Sequence, residues 1–94
     1  MKYIIYAEIR EPMKENVRKM YEIEDERRKK GVTWQQTGEW IEQYLTFEGN
    51  RGITIIETEN IKGILQWANA YSEVVKNLKI IPVLTRSERE ELMS

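Results

Sequence analysis

The chain contains no cysteine and no histidine. Without thiols there are no disulfides, no thiolate nucleophile and no zinc ribbon. Without imidazole the commonest general base and metal ligand is missing, and haem ligation through histidine is excluded. Neither a cofactor nor a metal is expected. Long apolar runs are also absent. No stretch approaches the about 18 residues of a transmembrane helix, and the N-terminus lacks the charged, apolar, small-residue order of a signal peptide. A cytoplasmic location is the expectation. Neither sign of charge dominates, because 15 basic and 16 acidic residues leave a formal net charge of -1. Such a balance creates no field favouring nucleic acid or an anionic membrane, and neither is expected as a partner. Glycine-rich phosphate loops, nucleophile elbows and dinucleotide fingerprints do not occur, and there is no repeat, low-complexity tract or linker.

What is present is one domain, residues 1-94, long enough for a single core burying roughly two-thirds of the unfolded surface. Charged residues, mostly Glu, Lys and Arg, make up 33% of the chain, and isoleucine is the main aliphatic, a mixture found in proteins from hot environments. The stretch Gly38 to Thr58 reads as a β-hairpin. Trp40, Ile41, Tyr44, Leu45 and Phe47 lie on one arm and Ile53, Thr54, Ile55 and Ile56 on the other, the residue types a pleated surface accommodates. Gly49, Asn50 and Gly52 tolerate the positive φ that closes the turn.

Around this hairpin the chain offers one strand and one helix on each side. Lys2 to Ile9 alternates and is apolar on both faces, as a strand. Pro12 opens a helix from about residue 12 to 30, with Met13, Val17, Met20 and Tyr21 at helical spacing and Gly31 as its stop. A strand starting at Val32 is interrupted by Gly38, which predicts a bulge. Thr58 or Asn60 caps a second helix whose stripe is Ile61, Ile64, Leu65, Ala68, Tyr71 and Val75, widened by Trp67, Ala70 and Val74. Leu78 to Leu84 is the last strand, placed at a sheet edge by Pro82, which suits the usual 4-1-3-2 order of a βαββαβ sheet. Ser87 to Glu90 matches a capping box, predicting a short helix over residues 88-93.

Two helices on right-handed crossovers cover one face of such a sheet. The other face ought to be polar, yet either choice of parity leaves it apolar. One choice exposes Ile4, Tyr6, Ile56, Ile81 and Val83, the other Tyr3, Ile5, Ile53, Ile55, Leu78 and Ile80. A homodimer packed sheet to sheet is the expectation.

Gly38-Glu39-Trp40, Arg51-Gly52, the run into Ile56-Glu57-Thr58, Trp67, and Ile80-Ile81-Pro82-Val83 together resemble a family of small proteins described only as a domain of unknown function. That family is placed in the dimeric α/β-barrel (ferredoxin-like) superfamily, and the likeness covers nearly the whole chain. The family often carries a tryptophan followed by Ser and Asp late in the second helix, where this chain has Tyr71-Ser72-Glu73. The resemblance implies an α+β ferredoxin-like subunit with its four-stranded antiparallel sheet dimerising into an α/β barrel, and a cleft between sheet and helices. The superfamily includes cofactor-independent monooxygenases, haem-degrading enzymes, lactone isomerases and ligand-sensing domains, so the fold leaves function open.

Candidate site residues follow. Trp40, Trp67 and Tyr71, with Arg51, are candidates to line an apolar pocket for a flat ligand, and Glu57 is the candidate carboxylate for proton transfer. The plainer account makes the aromatics core residues and pairs Glu57 with Arg51 or with a helix end. Trp34, Gln35 and Gln36 are candidates for a lid with amide donors, or for the decoration of a strand end. Arg27 to Lys30 suits phosphate contact or a helix C-terminus, and the Glu22 to Glu26 acids lack the spacing of a calcium loop. Three readings are left: a binding or assembly protein, a cofactor-independent oxygenase or isomerase using Glu57, and a sensing domain, the last lacking a DNA-binding helix-turn-helix of its own.

Overall fold

A computed structural model describes residues 1-32 and 39-94, apart from the side chain of Trp40. Within it the elements are β1 (Lys2–Ile9), α1 (Met13–Lys29), β2 (Glu39–Leu45), β3 (Arg51–Glu57), α2 (Ile61–Ala70), β4 (Val75–Val83) and α3 (Arg86–Met93). The strands form one antiparallel sheet in the order β2-β3-β1-β4, which is 4-1-3-2 read from the other edge. Pro82 lies on the edge strand β4, the place in a sheet where a residue without an N–H is tolerated. The expected bulge at Gly38 lies outside the described residues; within the described part of β2 the register shifts between Trp40 and Glu42. No helix among the described residues is long and apolar enough to cross a membrane.

Pairing register decides which residues share a face. Tyr3 sits opposite Ile56, Ile5 opposite Thr54 and Ala7 opposite Gly52, while Ile5 also faces Ile80 across β4. On this side Ile5, Ile56 and Ile64 form a buried cluster with Tyr3, Trp67, Leu78 and Ile80 packed around it. A second cluster of Tyr71, Val74 and Val75 gathers Ala7, Ile9, Met20 and Ile23. The opposite face carries Ile4, Tyr6, Ile53, Ile55, Ile81 and Val83, with Ile53 38% and Ile81 44% exposed. The grouping expected from sequence is therefore corrected in β3. Ile56 belongs to the helix face and Ile53 and Ile55 to the open one, since a strand's parity relative to its neighbour follows from register and not from its own alternation.

Helix ends explain the remaining differences. Gly31, with φ +76°, closes α1, the Val32 N–H reaching the Arg27 carbonyl at 2.8 Å and the Gly31 N–H that of Arg28 at 3.0 Å. Asn60 caps α2 by accepting from the Gly63 N–H at 3.0 Å, while the Thr58 hydroxyl accepts from the Asn60 N–H at 2.9 Å. This helix ends at Ala70, and the Tyr71 carbonyl accepts from both Val74 and Val75, so that β4 begins at Val75 rather than Leu78. The capping box is built on Thr85 and Glu88, two residues earlier than the Ser87 box expected, because β4 ends at Val83 and α3 can start at once.

Candidate functional site

A cleft of about 440 Å³ opens between α1 and the helix side of the sheet. Its floor exists because residue size drops along β1 and β3. The Tyr3–Ile56 pair gives way to Ile5–Thr54 and then to Ala7–Gly52, whose small side chains leave room beneath the helix. From α1 come Val17, Met20, Tyr21, Glu24, Arg27 and Arg28, the i, i+3, i+4 stripe that a helix presents to what it faces. The stripe changes character as it runs: Val17 and Met20 make an apolar end, Glu24, Arg27 and Arg28 a charged one.

Trp67 and Tyr71 from the α2 side complete a wall, their rings 5.3 Å apart and tilted by 35°. The Arg27 guanidinium lies over the Tyr71 ring, 5.9 Å from its centre. Burial, followed by the Glu24 charge, pushes the Tyr71 hydroxyl above its ordinary range against the opposing pull of Arg27 and Arg28. Arg28 is occupied, reaching Glu24 at 2.9 Å and Asp25 at 3.2 Å. On the far wall the Gln43 amide donates to the Thr54 hydroxyl at 3.4 Å.

Of the residues singled out in the sequence, Trp67 and Tyr71 meet in this cleft. The side chain of Trp40 lies outside the described part of the structure, as do Trp34, Gln35 and Gln36. Arg51 borders the cleft, yet its register opposite Glu8 and the 3.9 Å approach of its Nε to Glu8 Oε1 take its guanidinium to the open face. Glu57 is separated from the aromatics. Opposite Lys2 in register, it lies in a second hollow with Met1, Lys2, Val83, Leu84 and Glu88, and its Oε1 is 3.4 Å from the Met1 amino group. That amino group also meets Glu59 at 2.6 Å, the hydrogen bond chiefly responsible for raising its pKa. Among the described residues no three acidic side chains are gathered so as to hold a metal ion, the Glu22 to Glu26 run included.

One constellation has no counterpart among the sequence expectations. On the open face Glu8 accepts from the Tyr6 hydroxyl at 2.9 Å and the Asn77 amide at 3.0 Å. The bonds from Asn77 and Tyr6 hold the Glu8 carboxyl below the usual carboxylate range, and burial together with Glu8 raises Tyr6. The β1–β4 register shifts between Tyr6 and Glu8, and Asn77 takes φ +51°. Asparagine inside a strand was the available signal, since it is disfavoured there and tolerates the left-handed region.

Over residues 1–94 the chain matches the model of a domain of unknown function, DUF3303. It belongs to this family. No curated protein and no solved structure matches the chain. DUF3303 carries no assigned activity, and the topology of this member is ferredoxin-like, so function has to be read from the cleft and the faces of the sheet.

Proposed function

We propose that this DUF3303 protein binds a small, mostly apolar organic molecule in the cleft between α1 and the sheet, and that it works as a homodimer joined through its open sheet faces into an α/β barrel. One observation carries the binding reading. The Ala7–Gly52 step in the floor leaves a cleft of about 440 Å³ beside a Trp67–Tyr71 wall, a size and lining typical of small-molecule pockets. The dimer is supported by the apolar set Ile4, Tyr6, Ile53, Ile55, Ile81 and Val83, on the face opposite the core that α2 packs against, an apolar surface of the kind that marks a protein interface.

Binding is better supported than proton abstraction. Glu57 lies away from the cleft, and Glu24, the one carboxylate lining it among the described residues, is paired with Arg28 at 2.9 Å. Titration with the neutral fluorophore N-phenyl-1-naphthylamine tests the reading. Saturable binding is expected in the native protein and its loss in Ala7→Leu and Val17→Trp, both chosen to fill the cleft, with circular dichroism confirming that the variants fold. Undiminished binding by both folded variants would refute the assignment.

A further inference from the structure

Resting on the cleft as a binding site, we infer that its occupant is an organic anion, an aromatic body bearing a carboxylate, with Arg27 as the group that holds the charge.

Counting charges in the cleft leads to Arg27. Three charged side chains reach it from α1, and Arg28 neutralises Glu24 at 2.9 Å while also meeting Asp25 at 3.2 Å. Arg51 is engaged by Glu8 on the other face of the sheet. Arg27 is then the guanidinium of the cleft with no carboxylate partner among the described residues.

The end of α1 does not use it either. Carbonyls at the C-terminus of a helix attract cations, but here those of Glu26, Arg27 and Arg28 already accept from the backbone N–H groups of residues 30-32, at 2.8 to 3.2 Å. What Arg27 does have is the face of Tyr71 at 5.9 Å. A guanidinium resting over a ring keeps its in-plane N–H donors for a further partner, and their fork matches the two oxygens of a carboxylate. Arg27 is itself half-buried, which strips water from the charge and increases what an anion would gain there.

The rest of the cleft sets the other half of the molecule. Ile5, Ala7, Val17 and Met20 offer no hydrogen bond from their side chains and suit a flat hydrocarbon body lying toward Trp67. A cation would meet Arg27 unfavourably. A small hydrophilic anion would leave the apolar end empty.

Isothermal titration with 2-naphthoate and the neutral isostere 2-naphthamide separates the charge from the body. The native protein should bind the carboxylate about tenfold more tightly than the amide, the difference one charge-assisted pair makes. Arg27→Gln should bring the two ligands to within about twofold, with most of the loss falling on the carboxylate, and Arg27→Lys should retain part of the preference. Unchanged melting of both variants checks that the fold is intact. Equal affinities in the native protein, or a preference that survives Arg27→Gln, would overturn the inference while leaving the cleft as an apolar site. If neither ligand binds, the cleft reading fails and the inference goes with it.

Discussion

Asn16 sets where α1 crosses the sheet, and replacing it should loosen both fold and cleft. Its side chain is 7% exposed, and its amide donates to the carbonyls of Arg10 at 2.9 Å and Pro12 at 3.1 Å. The Arg10 N–H in turn donates to Val74 at 2.9 Å, so the end of β1, the start of α1 and the entry to β4 are tied together at one place. In Asn16→Ala two hydrogen bonds disappear and the Arg10 carbonyl loses its amide donor, a cost of about 2 kcal/mol. For a domain of this size that lowers the melting midpoint by about 8 to 16 °C. Asn16→Asp keeps the shape but, once ionised, has no proton to donate and brings a charge against two carbonyl oxygens. The folded state then favours the neutral acid and raises the pKa of the introduced carboxyl above its unfolded value of about 3.9. The stabilisation is fully present below that unfolded value and disappears as pH rises through the folded one. Thermal unfolding followed by circular dichroism should therefore show Asn16→Asp approaching the native protein in acid and falling below Asn16→Ala at neutral pH. An Asn16→Ala variant within about 0.5 kcal/mol of native, or two variants with the same pH profile, would refute the reasoning.

Other consequences can be checked separately. Because Asn77 and Tyr6 depress the Glu8 pKa, its contribution is present above the unfolded value of about 4.3 and lost as pH falls through the folded one. The melting difference between native and Glu8→Gln proteins should then be largest near neutrality and close in acid. Thr85→Ala removes the cap bond that the Glu88 N–H donates to the Thr85 hydroxyl at 3.1 Å, while the return bond from the Thr85 N–H to the Glu88 carboxylate at 3.0 Å can persist. Losing about 1 kcal/mol should speed amide exchange in residues 86-93 by roughly fivefold. The global transition should not move, as α3 buries no residue. Ile55→Lys puts a charge in the middle of the open face, and sedimentation equilibrium should show a native dimer at micromolar concentration and a monomeric variant. A native monomer would end the dimer proposal.

Much of the architecture is legible in the sequence because it is written in local patterns. The alternation of Lys2 to Ile9, the helical spacing after Pro12 and the turn around Gly49 each depend on a few neighbouring residues and the period of their own backbone. Apolar spacing carries α2 too far, through Tyr71 and Val75, because residues of a terminating turn and a buried strand keep a helical period by chance. Trp67 and Tyr71 are recognisable as a pair, being four apart across the end of a helix. Glu57 lies apart from them because its position follows from pairing with Lys2, a contact 55 positions away in the chain.

By itself the sequence determined the element order, the edge position of β4 and an apolar residue set too large for two helices to cover. The tertiary structure alone decided that Ala7 meets Gly52 to leave a floor, that Arg28 consumes Glu24 and leaves Arg27, and that Asn77 reaches Glu8 across a bulge. The reason is physical. Periodicity is a property of the covalent chain within a few residues, whereas register and bulges are settled by hydrogen bonds between strands far apart in sequence, and a shift of one residue turns every side chain to the opposite face.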